Sequence, residues 1–243
     1  MISFWILITA GFIFSVAAIL HGLCGFGFSM ISITVLSLLA EPKLAVPLTA
    51  VASTVNCIYL MWILRHDIIF KQLAALIVTC ILFVPLGVVC LKYLNRAVII
   101  RILGSVIVTI SLISLLKLEH LKIFASQWFK WFAGMVSGVM CGAFNMPGPP
   151  LVLYVYNCGW PVRNAMANLQ LLFTLVCPVV LILFISTGLL TFKLAGFGLA
   201  YSPLVVIFTF LGAKLSKKVP TKHLKTIINV LLGILGISLI IKG

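Results

Sequence analysis

Residues 138–154 read Gly138-Val139-Met140-Cys141-Gly142-Ala143-Phe144-Asn145-Met146-Pro147-Gly148-Pro149-Pro150-Leu151-Val152-Leu153-Tyr154. The stretch lies inside a long apolar run, yet three prolines crowd into it between 147 and 150. A proline inside a helix lacks its N–H and clashes with the carbonyl four residues back. Residues 145–150 are therefore not continuous α-helix. Lipid cannot satisfy the backbone groups freed by such a break, so at membrane depth they must face protein or a water-lined cavity. The half-helix that starts beyond the break offers orphan N–H donors and partial positive charge, which suits an anion.

A second break stands earlier in the chain, at His21-Gly22-Leu23-Cys24-Gly25-Phe26-Gly27-Phe28. Aligned on its cysteine and glycines, it corresponds to Gly138–Asn145. An apolar stretch follows each break, then a polar turn: Glu41-Pro42-Lys43 in one case, Gly159-Trp160-Pro161 in the other. Phe70-Lys71 opens a later span as Phe192-Lys193 does, and Pro85-Leu86-Gly87 is echoed loosely by Pro203 and Leu211-Gly212. The chain thus reads as two repeats, 1–117 and 128–243, joined by a loop over 118–127. Paired Gly/Pro-interrupted segments in repeated halves are the best sequence pointer to a transporter's binding site.

Composition sets the surroundings. Of the 243 residues, 63% are hydrophobic and 8% charged, with 17 Lys or Arg against three acids. Soluble domains are about 45–50% apolar and about 25% charged, so a wet globular enzyme is excluded. The basic residues come in short clusters between apolar runs, unlike a nucleic-acid surface. The apolar runs are 2–40, 44–64, 70–91, 98–116, 128–157, 164–187, 192–213 and 226–241. A span needs about 20 apolar residues, so the fold class is all-α: a polytopic membrane bundle of about eight segments. The start lacks a basic n-region, so the first segment reads as a retained helix rather than a removable signal. Short-loop Lys/Arg mark the cytoplasmic side. On that rule 214–225 and 92–101 fall inside together with 41–43 and Arg163, while 65–71, 117–122 and Lys193 fall outside. This gives the two halves the same orientation, a parallel duplication. The seven cysteines show no CxxC or metal spacing and read as small buried hydrophobes.

At these motifs the sequence resembles the sulfite exporter TauE/SafE family, also called the 4-toluenesulfonate uptake permease family. The resemblance rests on Gly22-Leu-Cys-Gly25-Phe-Gly27-Phe-Ser29, on Ala45-Val46-Pro47-Leu48 with Asn56 in the same span, and on Gly142-Ala-Phe-Asn145-Met-Pro-Gly148-Pro149-Pro150 followed by Gly159-Trp160. It covers nearly the whole chain. It implies an inner-membrane permease for small anions, among them sulfite and organosulfonates. The chain departs from many members in the interleaved Phe26 and Phe28 and in Met146, which leaves the substrate open.

The candidate substrate-binding residues are His21, Gly25, Gly27, Asn56, Gly142, Asn145, Gly148, Asn168 and Gln170. His21 is an ionisable group at membrane depth, a functional position by default; its competing reading is a neutral ring bonded to a freed carbonyl. Asn145 can donate to an oxyanion or cap a broken helix. Asn56, Asn168 and Gln170 must point into the bundle, where bonding between helices is the alternative role. Glu41, Asp67 and Glu119 all fall in loops, so no carboxylate relay runs through the interior. The partners expected are a small anion and the bilayer, with no cofactor, metal or nucleic acid. The leading function is a secondary transporter, not an enzyme; an anion channel is the alternative. A remote one is an intramembrane hydrolase built on Ser137, which lacks both the flanking Gly and a second intramembrane His.

Overall fold

The protein is described from a computed structural model that covers residues 4–69, 73–116, 124, 126–216 and 221–242; the side chains of 4–7 and 221–229 fall outside the description. It is helical throughout the described residues. The helices are α1 (Phe4–Cys24), α2 (Phe28–Leu39), α3 (Pro42–Leu64), α4 (Ala74–Tyr93), α5 (Arg96–Leu115), α6 (Gln127–Phe144), α7 (Gly148–Asn157), α8 (Val162–Ser186), α9 (Phe192–Ala200), α10 (Ser202–Leu215) and α11 (Thr221–Lys242). Five described stretches are long and apolar enough to cross a membrane: Pro42–Asp67, Ala74–Tyr93, Arg96–Leu115, Val162–Ser186 and Phe192–Leu215.

Both expected breaks are present. Asn145 to Pro147 separate α6 from α7, and Gly25 to Gly27 separate α1 from α2. Pro149 and Pro150 then fall in the first turn of α7, where a missing N–H removes nothing from the helix. A third break, unforeseen, divides the run 192–213 at Tyr201, just before Pro203. Proline alone does not decide this: Pro47, Pro85 and Pro178 sit inside continuous helices.

Glycines let helix backbones touch, the usual mode of association where lipid removes any hydrophobic driving force between helices. Along α1, Gly11 lies beside Tyr201, and Gly22 abuts Thr209 and Ala213 of α10. Along α6, Gly134 lies beside Thr79, Gly138 beside Cys80, and Gly142 against Val84 and Val88 of α4. Each of these pairs is parallel. By contrast α3 and α8 are antiparallel. Asn164 Nδ2 near the start of α8 donates to Asp67 O beyond the end of α3 (2.8 Å), and Leu60 and Leu64 pack on Ala167. α3 and α4 are also antiparallel, since Lys43 Nζ donates to Lys92 O (2.8 Å). Gly198 against Val51, and Thr209 Oγ1 donating to Asn56 Oδ1 (2.6 Å), align α9–α10 with α3.

Helices α1, α3 and α9–α10 therefore run one way, and α4, α6 and α8 the other. This corrects the parallel duplication read from charge: α1 and α6 point in opposite directions. It also corrects the loop assignment. Glu41, Lys43, Lys92 and Arg96 share one end of the bundle; Arg65, Asp67 and Arg163 share the other. The end of α10 lies with Gly22 on the side of Arg163, so Lys214 and the stretch 92–101 sit at opposite faces. Lys71, Lys217, Lys218 and the loop 117–122 lie outside the described residues.

The glycine contacts at the two breaks are alike. Gly22 meets Thr209 and Ala213 as Gly142 meets Val84 and Val88. The offset places Gly25 on Asn145, and both adopt left-handed backbone, φ 78° and 49°. That offset differs by three residues from the one that pairs Cys24 with Cys141.

A Cβ at Gly142 would collide with the carbonyl of Val84, whereas one at Gly196 meets nothing within 4 Å. We predict that Gly142→Ala costs about 1–3 kcal/mol of stability and lowers the melting temperature of the detergent-solubilised protein. Gly196→Ala should leave it unchanged or slightly raised.

Candidate functional site

The last turn of α1 closes when Gly25 N–H donates to His21 O (2.7 Å). Gly25 and Gly27 then carry the chain through positive φ, 78° and 104°, the region that favours glycine. The first N–H of α2, at Phe28, donates to His21 Nδ1 (3.3 Å). With Nδ1 accepting, the ring is neutral and its proton sits on Nε2, facing Gln170 Oε1 at 3.4 Å. Gln170 Nε2 in turn donates to Gly25 O (2.6 Å). Two side chains thus satisfy both ends of the first break.

The second break is built differently. Asn145 takes left-handed backbone, which Asn tolerates better than other non-glycine residues. Its N–H returns to Cys141 O (2.7 Å), and Met146 N–H to Met140 O (3.3 Å). The Asn145 amide reaches across the bundle, donating to Ser53 Oγ of α3 (2.6 Å) and Ser29 Oγ of α2 (3.2 Å). Its Oδ1 is buried without a partner.

Between the breaks lies a cavity of about 30 Å³, large enough for a small solute or water. Its walls include His21, Gly27, Phe28, Ser29, Ser53, Asn145, Gly148 and Phe173, with the thiols Cys57 and Cys177 behind. The N-termini of α2 and α7 both end at it. A larger cavity of about 310 Å³ shares Phe26, Gly27 and Met30 with it and extends toward Asn157 and Trp160. Both linings are mostly apolar; what sets the smaller cavity apart is that Ser29, Ser53 and the Asn145 amide meet at its wall.

Of the sequence candidates, His21, Gly27, Asn145 and Gly148 line the small cavity, while Gly25 and Gln170 hold its first break together. Asn56 does not reach it; its Oδ1 accepts from Thr209 of α10. Asn168 Oδ1 instead caps Ile69 N–H (2.8 Å). Gly142 serves the α4–α6 contact. The sequence reading passed over Ser29, Phe173, Cys57 and Cys177 as site residues. The cysteines had a signal, being equivalent positions in the two halves, but only in the corrected register. None of the seven cysteines forms a disulfide. Ser137 Oγ is buried without a hydrogen-bond partner, so no described His stands beside it as a base. Among the described residues no cluster of three or more His, Cys, Asp or Glu could hold a metal.

Apolar spans and two helix pairs broken inside the bundle, with a small cavity between the breaks, define a multi-pass membrane protein. Residues 9–239 match the family described as sulfite exporter TauE/SafE. The chain belongs to that family, and with it to the membrane transporters of sulfur anions. No match is found among curated proteins or among solved structures.

Replacing Gln170 by Leu leaves His21 Nε2 and Gly25 O unpaired. Each orphaned buried group costs about 1–3 kcal/mol. The expected outcome is a lower melting temperature, and Gln170→Glu should recover less than full stability because it buries a charge.

Proposed function

We propose that the protein is a secondary transporter that carries a small sulfur-containing oxyanion, such as sulfite or a short organosulfonate, across the inner membrane. The observation that carries this reading is the meeting of two half-helix N-termini and the Asn145 amide at one small buried cavity. Helix N-termini stabilise negative charge, and the effect grows where water is excluded. The two described carboxylates stand at the faces of the bundle, each in an ion pair: Glu41 with Arg96 and Asp67 with Arg163. No anionic side chain among the described residues lines the cavity to repel such cargo.

Asn145 is the proposed selectivity residue. Turned end for end, its amide accepts from the Ser29 and Ser53 hydroxyls and directs two N–H donors at the cavity. His21 and Gln170 position the first break and do not touch the anion. The site needs no cofactor, metal or nucleic acid, and it has no catalytic step.

The architecture we propose is two inverted repeats, 1–117 and 128–243, whose eight apolar segments include two hairpins, α1–α2 and α6–α7, that enter from opposite faces. Arg65, Lys130, Arg163 and Lys214 stand at the Arg163 face, the last opening the densest basic cluster of the sequence, and by the positive-inside rule we take that face as cytoplasmic. An inverted pair rocking about a central site alternately exposes it to the two sides.

Counterflow of radiolabelled sulfite in proteoliposomes tests the proposal. Wild type should show saturable uptake that depends on unlabelled sulfur oxyanion inside. Asn145→Leu should cut the rate about tenfold or more, from the loss of hydrogen bonds to a charged ligand, while the protein stays folded. Flux that is linear and independent of internal anion favours a channel instead. Unchanged flux in Asn145→Leu removes this site.

A further inference from the structure

The two halves correspond residue for residue over their first three helices, yet their cavities do not. The larger cavity opens between α1, α2, α5, α7 and α11 and extends to Asn157, Trp160 and Val162 at the Arg163 face. Every lining residue of the first three helices in each half has an equivalent in the other half, fixed by the match of Gly22 to Gly142 and of Gly25 to Asn145. Cys24 corresponds to Phe144 and Ile31 to Leu151. Val152, Tyr156 and Asn157 correspond to Ser32, Leu36 and Ser37.

These five equivalents, Phe144, Leu151, Ser32, Leu36 and Ser37, line neither cavity. They are packed shut toward the opposite face, and none of Ser32, Leu36, Ser37, Phe144 and Leu151 is more than 5% exposed. Two of them are out of place in a dry interface, since Ser32 Oγ and Ser37 Oγ are buried with no hydrogen-bond partner. An orphaned buried hydroxyl costs stability unless another state of the protein hydrates it.

The closed face is also held by contacts that open readily. Glu41 pairs with Arg96 while both side chains are about half exposed, 56% and 46%. Lys43 Nζ donates to Lys92 O, and Lys242 Nζ to Leu38 O (2.6 Å) at the end of α2. Exposed pairs of this kind add little to stability. Together they tie α2, α3, α4, α5 and α11 at the closed face.

We infer that the structure is the state open toward the Arg163 face, and that a second cavity, walled by Ser32, Leu36, Ser37, Phe144 and Leu151, opens at the Glu41–Arg96 face when the first closes. In that state the Ser32 and Ser37 hydroxyls are wet and line the path by which a hydrated small anion reaches the Asn145 cavity from the other side. The inference rests on the transporter reading and adds to it the second path.

Ser37→Cys, Ser32→Cys and Asn157→Cys in the full chain, reconstituted in proteoliposomes, test it with a membrane-impermeant maleimide applied to one face at a time. No sulfite is present during labelling, and wild type reports the background of the native cysteines. Asn157→Cys should label from the Arg163 face. Ser37→Cys and Ser32→Cys should label above background from the opposite face alone. Adding Arg96→Gln should speed the labelling of Ser37→Cys about two- to fivefold by releasing Glu41. If both serine variants retain anion exchange yet stay unlabelled from the Glu41–Arg96 face, or label from the Arg163 face, the second cavity is refuted while the transporter reading survives. If they label as expected but the parent protein moves no sulfur oxyanion, the second cavity stands and the cargo assignment falls.

Discussion

Everything in this bundle depends on satisfying backbone groups where a helix has been broken inside an apolar protein. Each N–H or C=O left without a partner in hydrocarbon costs several kcal/mol. The chain meets that cost in two chemically different ways. In the first half a neutral His21 takes the leading N–H of α2 while Gln170 holds the carbonyl of Gly25. In the second, Asn145 supplies the left-handed turn itself and sends its amide across to Ser29 and Ser53. The first solution uses its side chains up; the second leaves one amide oxygen unpartnered in the cavity. That difference is why the second break is the chemically available one, and why Asn145 rather than His21 is the residue to which the anion is assigned.

Close packing of glycine-bearing helices carries the rest. α1 lies along α10 and α6 along α4, so each broken helix pair is clamped by a helix distant in sequence. The hairpins are therefore held against each other across the antiparallel pair α3–α8. The few exposed ion pairs at the two faces are weak by comparison. A rigid centre with loosely tied ends is the mechanical arrangement that alternate opening requires.

Much of the site could be read in the sequence because proline and glycine have local consequences. Three prolines between 147 and 150 ruled out a continuous helix, and the break lies at Asn145–Pro147. The family was legible for the same reason, since its motifs are the breaks. The register was not. Matching Cys24 to Cys141 on identity passes over the shared left-handed backbone of Gly25 and Asn145, two residue types that tolerate positive φ. The direction of the halves was lost because Lys and Arg were assigned to sides on the premise that each interrupted segment crosses once. Asn56, Asn168 and Gln170 were expected to point inward, and they do. Which neighbour each one serves depends on helix packing that no local pattern records. Asn56 therefore pairs with Thr209, and Asn168 with Ile69, rather than with a solute.

The central claim is that an oxyanion rests between the two half-helix N-termini. It is tested most directly by a structure determined with selenite, a heavier analogue of sulfite, using the anomalous signal of selenium. The account predicts one peak inside the bundle, in the cavity bounded by Gly27, Ser29, Asn145 and Gly148, with its oxygens within hydrogen-bond distance of the Asn145 amide. A saturated protein with selenium only at the basic loops, or with none inside the bundle, would contradict it.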